Sequence, residues 1–275
     1  MLEIPESSTI AGQMNEVLKG KVIRYVEADK SPHKFAWYSG NPEDYNGLLA
    51  GKRFGASTAR GAMIESEVED CRLLLGDGAA PRYYEDCSKA PMKHQLYMEF
   101  TDGSALVVTV QMYGGLWAYK EGKNDNPYYL VACEKPLPLS AEFSYDYFRA
   151  LYTEALQGKS VKAFLATEQR IPGLGNGVLQ DILFQAGLHP KRKMNTLKEE
   201  DIKELYSTIK SLLKEMAEKG GRDTEKDLFG NPGGYVTYMS KNTYGEPCAK
   251  CGYQICKASF LGGTVYFCEH CQQEK

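Results

Sequence analysis

At 275 residues, with 43% hydrophobic and 25% charged residues, the chain can bury a sizeable core and is neither fibrous nor compositionally disordered. A net charge of −3 excludes a uniformly basic nucleic-acid coat, yet from Leu151 onward 17 Lys/Arg face 15 Asp/Glu, against 16 and 21 before it. No apolar run reaches membrane-span length and the start Met1-Leu2-Glu3-Ile4-Pro5-Glu6 is acidic, unlike a secretory signal, so a cytoplasmic protein with no membrane partner is expected.

Pro5 to Leu18 carries Ile10, Met14, Val17 and Leu18 at helical spacing, and Gly20 can end the helix. Val22 to Val26 alternates as a strand. His94–Phe100 and Leu106–Val110 flank Asp102-Gly103, a dipeptide suited to a primed hairpin turn. Lys135-Pro136-Leu137-Pro138-Leu139 is stiff and poor in donors, and marks a domain boundary. Next comes Ile171-Pro172-Gly173-Leu174-Gly175-Asn176-Gly177, a tight turn delivering Asn176 to a short apolar helix that stops at Gly187. Amides exposed after Gly173 and Gly175, the Asn176 side chain and the cations Lys191, Arg192 and Lys193 suit a phosphate backbone better than a small metabolite. Thr196 and Glu199 fit a capping box, and Ile202, Leu205, Tyr206, Ile209, Leu212, Leu213 and Met216 form one stripe for core packing, ended by Gly220-Gly221.

The chain closes on Cys248-x2-Cys251, sixteen residues, then Cys268-x2-Cys271, the spacing of a structural zinc site. Gly262-Gly263 between aromatic residues predicts a β-hairpin inside it. Four thiolates close the tetrahedron, so one Zn2+ is expected as a structural ion and not a hydrolytic one. Cys256 is a poorer-spaced competitor, and Cys71, Cys87 and Cys133 read as buried small hydrophobes.

This order of parts resembles the formamidopyrimidine-DNA glycosylase / endonuclease VIII family over nearly the whole chain, most strongly at Gln169–Pro190, Gly221–Tyr235 and the finger. The resemblance implies an α+β fold: an N-terminal helix with an antiparallel β-sandwich over 1–136, a helix-two-turn-helix domain over 137–240, and a zinc finger over 241–275. It implies a monomeric, bacterial-type repair protein, nucleoid-associated when bound, that excises oxidised bases from damaged or distorted double-stranded DNA. Asn176 matches a phosphate-contacting Asn. Met112 matches a Met that enters the void left by a flipped base, the alternative being a core methionine. Glu3 matches the family's acid/base, while Glu6 reads as a helix-dipole complement.

Three positions depart from the family pattern. Leu2 stands where the family has a catalytic proline whose amine attacks C1′ of the sugar. Leucine favours retention of Met1, which moves the free amine one residue early: a primary α-amine at Met1 can still form a Schiff base in principle, but its misplacement weighs against the family's Schiff-base and AP-lyase chemistry. Gly263 replaces a phosphate-gripping Arg, and a first-domain lysine falls near Ala62 or Met63, with Lys52 and Arg53 upstream as surface residues. Three functions are compatible with this set: a DNA glycosylase of altered chemistry, a non-catalytic damage-sensing or bent-DNA-binding protein on the same scaffold, or a scaffold recruited for protein contacts, which the near-neutral charge permits.

Overall fold

The computed structural model describes residues 1–274, which divide into two compact units: 1–130 with 225–232, and 131–224 with 233 onward. In the first unit, helix α1 (Ile4–Val17) has Pro5 in its opening turn, where a missing N–H costs nothing, and buries Ile10, Ala11 and Met14. Strands β1 (Ile23–Ala28) and β2 (Ala36–Tyr38), helix α2 (Tyr45–Leu49), and strands β3 (Phe54–Arg60), β4 (Met63–Val68), β5 (Cys71–Tyr84), β6 (Leu96–Phe100) and β7 (Ala105–Lys120) follow. The sheet order is β1-β6-β7-β5-β4-β3, antiparallel throughout, with β2 added parallel to β7.

The two ends of this sheet meet. Ile23 N donates to Lys52 O (2.9 Å) and Phe54 N to Lys21 O (2.8 Å). The sandwich is therefore one sheet returning on itself, which pairs backbone groups that an open edge leaves bare. Its core includes Met14, Ile23, Phe54, Leu73, Met98, Phe100 and Leu116. Strand β7 continues well past Val110 because Gly114 and Gly115 spare it two collisions. A Cβ at Gly115 would lie 1.8 Å from the Trp117 ring, and one at Gly114 would lie 2.8 Å from Ala79 N.

The turn expected at Asp102-Gly103 is not of the primed kind. Only Gly103 has positive φ (+85°), and the link spans four residues, with Gly103 N donating to Phe100 O and the Asp102 carboxylate accepting from Ser104 N. That carboxylate also holds Lys21, and satisfying both fixes Asp102 on the right-handed side.

Helix α3 (Pro127–Glu134) leads into the second unit. There α4 (Tyr145–Ala150) and α5 (Val161–Ala166) start on Ser144 and Ser160, whose hydroxyls accept from Tyr147 N and Ala163 N. Helix α6 (Asn176–Gln185) ends in a Schellman motif, with Leu188 N to Leu183 O (2.9 Å), Gly187 N to Phe184 O (3.2 Å) and Gly187 at φ +67°. Helix α7 (Glu199–Glu218) buries the expected stripe except Tyr206, whose hydroxyl donates to Phe143 O. Its start corrects the capping box. Asp201, not Glu199, reaches back to the N–H of Lys198, while Thr196 turns away to bond Lys193 O.

Strands β8 (Cys256–Phe260) and β9 (Gly263–Phe267) form the expected hairpin, and Leu261 and Gly262 both take positive φ (49° and 72°). The primed turn thus lies here. Among the other cysteines, Cys71 is buried, but Cys87 is half-buried and Cys133 exposed, because α3 turns only Ala132 fully inward. Among the described residues no helix is long and apolar enough to cross a membrane.

Candidate functional site

The second unit gathers two sets of residues. In the finger, Cys248 and Cys271 Sγ lie 3.9 Å apart, Cys251 and Cys268 Sγ 3.4 Å, and all four sulfurs lie within 4.8 Å of one another. A tetrahedral zinc with bonds of about 2.3 Å separates its sulfurs by about 3.8 Å, so the set fits that ion. The Tyr253 backbone N–H draws the Cys251 thiol down to about 6, while burial pushes Cys268 and Cys271 up. Cys256 stands outside the cluster, its thiol directed at Gln254 O (3.6 Å).

The finger is stitched to α6 by two side chains one helical turn apart. Asn176 Nδ2 donates to Thr264 O (2.8 Å), and Gln180 Nε2 donates to the same oxygen (3.3 Å) while its Oε1 accepts from Tyr266 N. Gly263 lies against this junction. A Cβ there would sit 3.5 Å from the Asn176 amide and 3.4 Å from Lys162 Nζ. Lys162 is a residue the sequence reading missed. It is only 3% exposed, donates to Phe260 O (2.6 Å), and has no carboxylate partner among the described residues. Burial lowers its pKa. Lys162 Nζ and Lys191 Nζ each lie 5.9 Å from the Phe260 ring centroid.

The expected basic cluster separates by role. Lys193 is exposed and Lys191 partly so, but the Arg192 guanidinium binds Asp201 (3.0 Å) and Thr196 (3.2 Å). Arg192 anchors the start of α7 and is not a free surface cation. In the turn before α6, Gly173 uses φ +81° and Gly175 is the extended N-cap residue, which places Asn176 first in the helix.

The first unit gathers the N-terminal residues. Leu2 is 4% exposed in the core, and its backbone N–H donates to Asp77 O (2.8 Å). Glu3 is the N-cap of α1, also 4% exposed, with its carbonyl accepting from Ser7 N. Glu6 lies in the first turn of α1, the position a helix-dipole complement takes, and is buried as well. The Met1 amine pairs with Glu225, and the Tyr113 hydroxyl lies 3.9 Å from Met1 Sδ. Met112 is 63% exposed, which removes the core alternative, and Tyr113 beside it packs on Trp37 with centroids 5.9 Å apart. Met63 is buried at the start of β4 and Ala62 precedes it, so no cation stands there; Lys52 pairs with Asp70 and Arg53 with Gly20 O.

With this geometry in view, the comparisons agree. Residues 135–227 match the model of the formamidopyrimidine-DNA glycosylase H2TH domain. The formamidopyrimidine-DNA glycosylase of Legionella pneumophila is 30% identical over 281 residues, covering 99% of this chain and 98% of that one. The Bacillus licheniformis enzyme of the same name is 29% identical over the full length of both chains. Among solved structures, Lactococcus lactis Fpg in complex with abasic-site DNA has a TM-score of 0.81 at 26% identity, covering 98% of this chain and 99% of that one. MutM in complex with DNA containing carbocyclic 8-oxo-G has a TM-score of 0.82 at 26% identity and the same coverage. The chain belongs to the formamidopyrimidine-DNA glycosylase / endonuclease VIII family.

Proposed function

We propose that this protein is a DNA-repair glycosylase that binds damaged duplex DNA and releases oxidised bases without proline-dependent strand cleavage. The observation that carries the reading is the convergence of Asn176, Lys162 and the Gly263 backbone at the start of α6, in a chain matched end to end by formamidopyrimidine-DNA glycosylases. A desolvated ammonium without a carboxylate, beside an amide, suits a phosphate oxygen, and Lys162 supplies the charge that Gly263 does not. Gly173 and Gly175 shape the turn, Lys191 and Lys193 add local charge, and Met112 is exposed to enter the stack. Glu3 acts as acid/base near the sugar.

Cys248, Cys251, Cys268 and Cys271 hold one structural Zn2+, which supplies a fold constraint and no bond chemistry because the site is closed. In this reading 1–136 carries the base and sugar chemistry, while 137–240 and the finger 241–275 grip the backbone. The protein works as a monomer in the cytoplasm, on nucleoid DNA.

A second reading, damage sensing or bent-DNA binding without catalysis, is favoured by one observation: the buried Leu2 nitrogen already donates to Asp77 O. Intact mass, gel shifts and base release on duplexes carrying 8-oxoguanine, formamidopyrimidine, thymine glycol or an abasic site separate the two. Lesion-selective binding with base release supports the glycosylase; lesion-selective binding alone supports the sensor. Equal binding to intact and damaged duplex overturns both.

A further inference from the structure

Asp77 is a non-glycine residue held at φ +55°, at a bulge where β5 loses register against β7 between Asp77 and Ala79. Such backbone is costly for a residue with a Cβ and persists where surrounding structure enforces it. The enforcement is visible: at the adjacent Gly78 a Cβ would lie 2.3 Å from Tyr113 O, so the two strands approach too closely for any other residue there. The conformation leaves the Asp77 carbonyl on the Leu2 N–H and its carboxylate half-buried, with no hydrogen bond or ion pair from any described residue. Burial alone raises its pKa, and the Tyr113 phenol lies in the field of both Asp77 and Glu3. The residue whose backbone carbonyl holds the residue-2 nitrogen therefore also carries a partly buried, unpaired carboxylate, which shares the Tyr113 phenol as a neighbour with Glu3, at the end of the molecule where the glycosylase reading places C1′ of the damaged nucleotide.

We infer that Asp77 is the general base of a hydrolytic base excision, activating a water molecule in place of an amine nucleophile. The inference rests on the glycosylase reading above. Water oxygen bonds to C1′ as the C1′–N bond to the damaged base breaks, and the bonding pair leaves on the base nitrogen. The water proton passes to Asp77 and then to solvent, and the released base takes up a proton. No redox partner is needed.

The test is single-turnover base release on lesion duplexes, run with borohydride trapping and gel shifts. Wild type should release base with no trapped adduct, with release falling as acid protonates Asp77. Asp77→Asn keeps a side chain that tolerates positive φ, so the fold should persist; it should slow release roughly 100-fold, flatten the acid limb and leave the gel-shift midpoint unchanged. Asp77→Glu should recover part of the rate. Unchanged release by Asp77→Asn, or a trapped adduct in wild type, overturns the inference. Wild type that binds lesions selectively but releases no base overturns it while leaving the DNA-binding reading intact. Failure to distinguish damaged from intact duplex overturns that reading itself.

Discussion

The finger junction and the N-terminal pocket solve opposite problems with the same kinds of residue. At the junction, Asn176 and Gln180 donate their amide N–H groups to Thr264 O, Gln180 Oε1 accepts from Tyr266 N, and four thiols converge, so most polar atoms are matched within the protein and Asn176 Oδ1 alone of these amide atoms is left over. Around the N-terminus, the Asp77 carboxylate is left without a partner on a strained bulge, and Leu2 packs into the core with its N–H on the Asp77 carbonyl. Matched groups make a grip that keeps its shape. Unmatched ones hold free energy in reserve for chemistry.

The sharpest way to break this contrast is to remove the zinc proposed for the four thiols. Structural zinc contributes apparent binding energies of about 10–16 kcal/mol in small fingers, so chelation or Cys251→Ser should unfold 241–275 and abolish DNA binding. Near-ultraviolet dichroism should show the first unit still folded; loss of both units together would make the distinction between grip and pocket untenable. Leu2→Ala should cost about 2–5 kcal/mol through its buried cavity, read from a urea melt. A cost near zero would mean that Leu2 is a bystander in the pocket. Asn176→Ala should weaken lesion binding roughly tenfold, about 1.4 kcal/mol, without altering single-turnover release at saturating protein. A changed release rate would couple the grip to the chemistry.

The smallest expected effect is on pH. Asp181 accepts from Tyr238 N and Met239 N, yet burial lifts its pKa to about 6, above its unfolded value near 3.8. A carboxyl raised on folding holds its proton more tightly when folded, so its contribution favours folding at low pH and is lost as pH rises through about 6. Between pH 7 and pH 5 the second unit should gain relative stability from this group. In Asp181→Asn thermal melts that component of the slope should vanish, alongside a general loss because Asn offers the two N–H groups a single acceptor oxygen.

The parts readable from sequence are those whose chemistry is set by local spacing. The four cysteines sit in two C-x2-C turns, and Asn176 follows a glycine-rich turn whose φ +81° at Gly173 only glycine adopts easily. Lys162 was invisible because a lone lysine in Val161-Lys162-Ala163-Phe164 looks like a solvent-facing position; its burial is decided by Phe260, far along the chain. Asp77 was invisible because its backbone is dictated by the approach of Tyr113 from β7, which Gly78 permits but which nothing in Gly76-Asp77-Gly78 announces. The return of Glu225–Pro232 to the first unit is similarly nonlocal: Leu228 N bonds the Gln13 side chain and Leu228 O accepts from Tyr83 N. The misplaced primed turn has the same lesson, since Lys21 competes for the Asp102 carboxylate.

The bulge also has a kinetic consequence. Strands β5 and β7 are paired from Cys71–Lys120 to Asp77–Gly114, and again from Ala79–Val110 to Tyr84–Ala105. Amide protons in both stretches should exchange only with global opening, while the residues between them lack the cooperative ladder that delays exchange. The bulge is therefore a soft seam sewn between the two slowest-breathing stretches of the sheet, able to shift locally without loosening the fold that surrounds it.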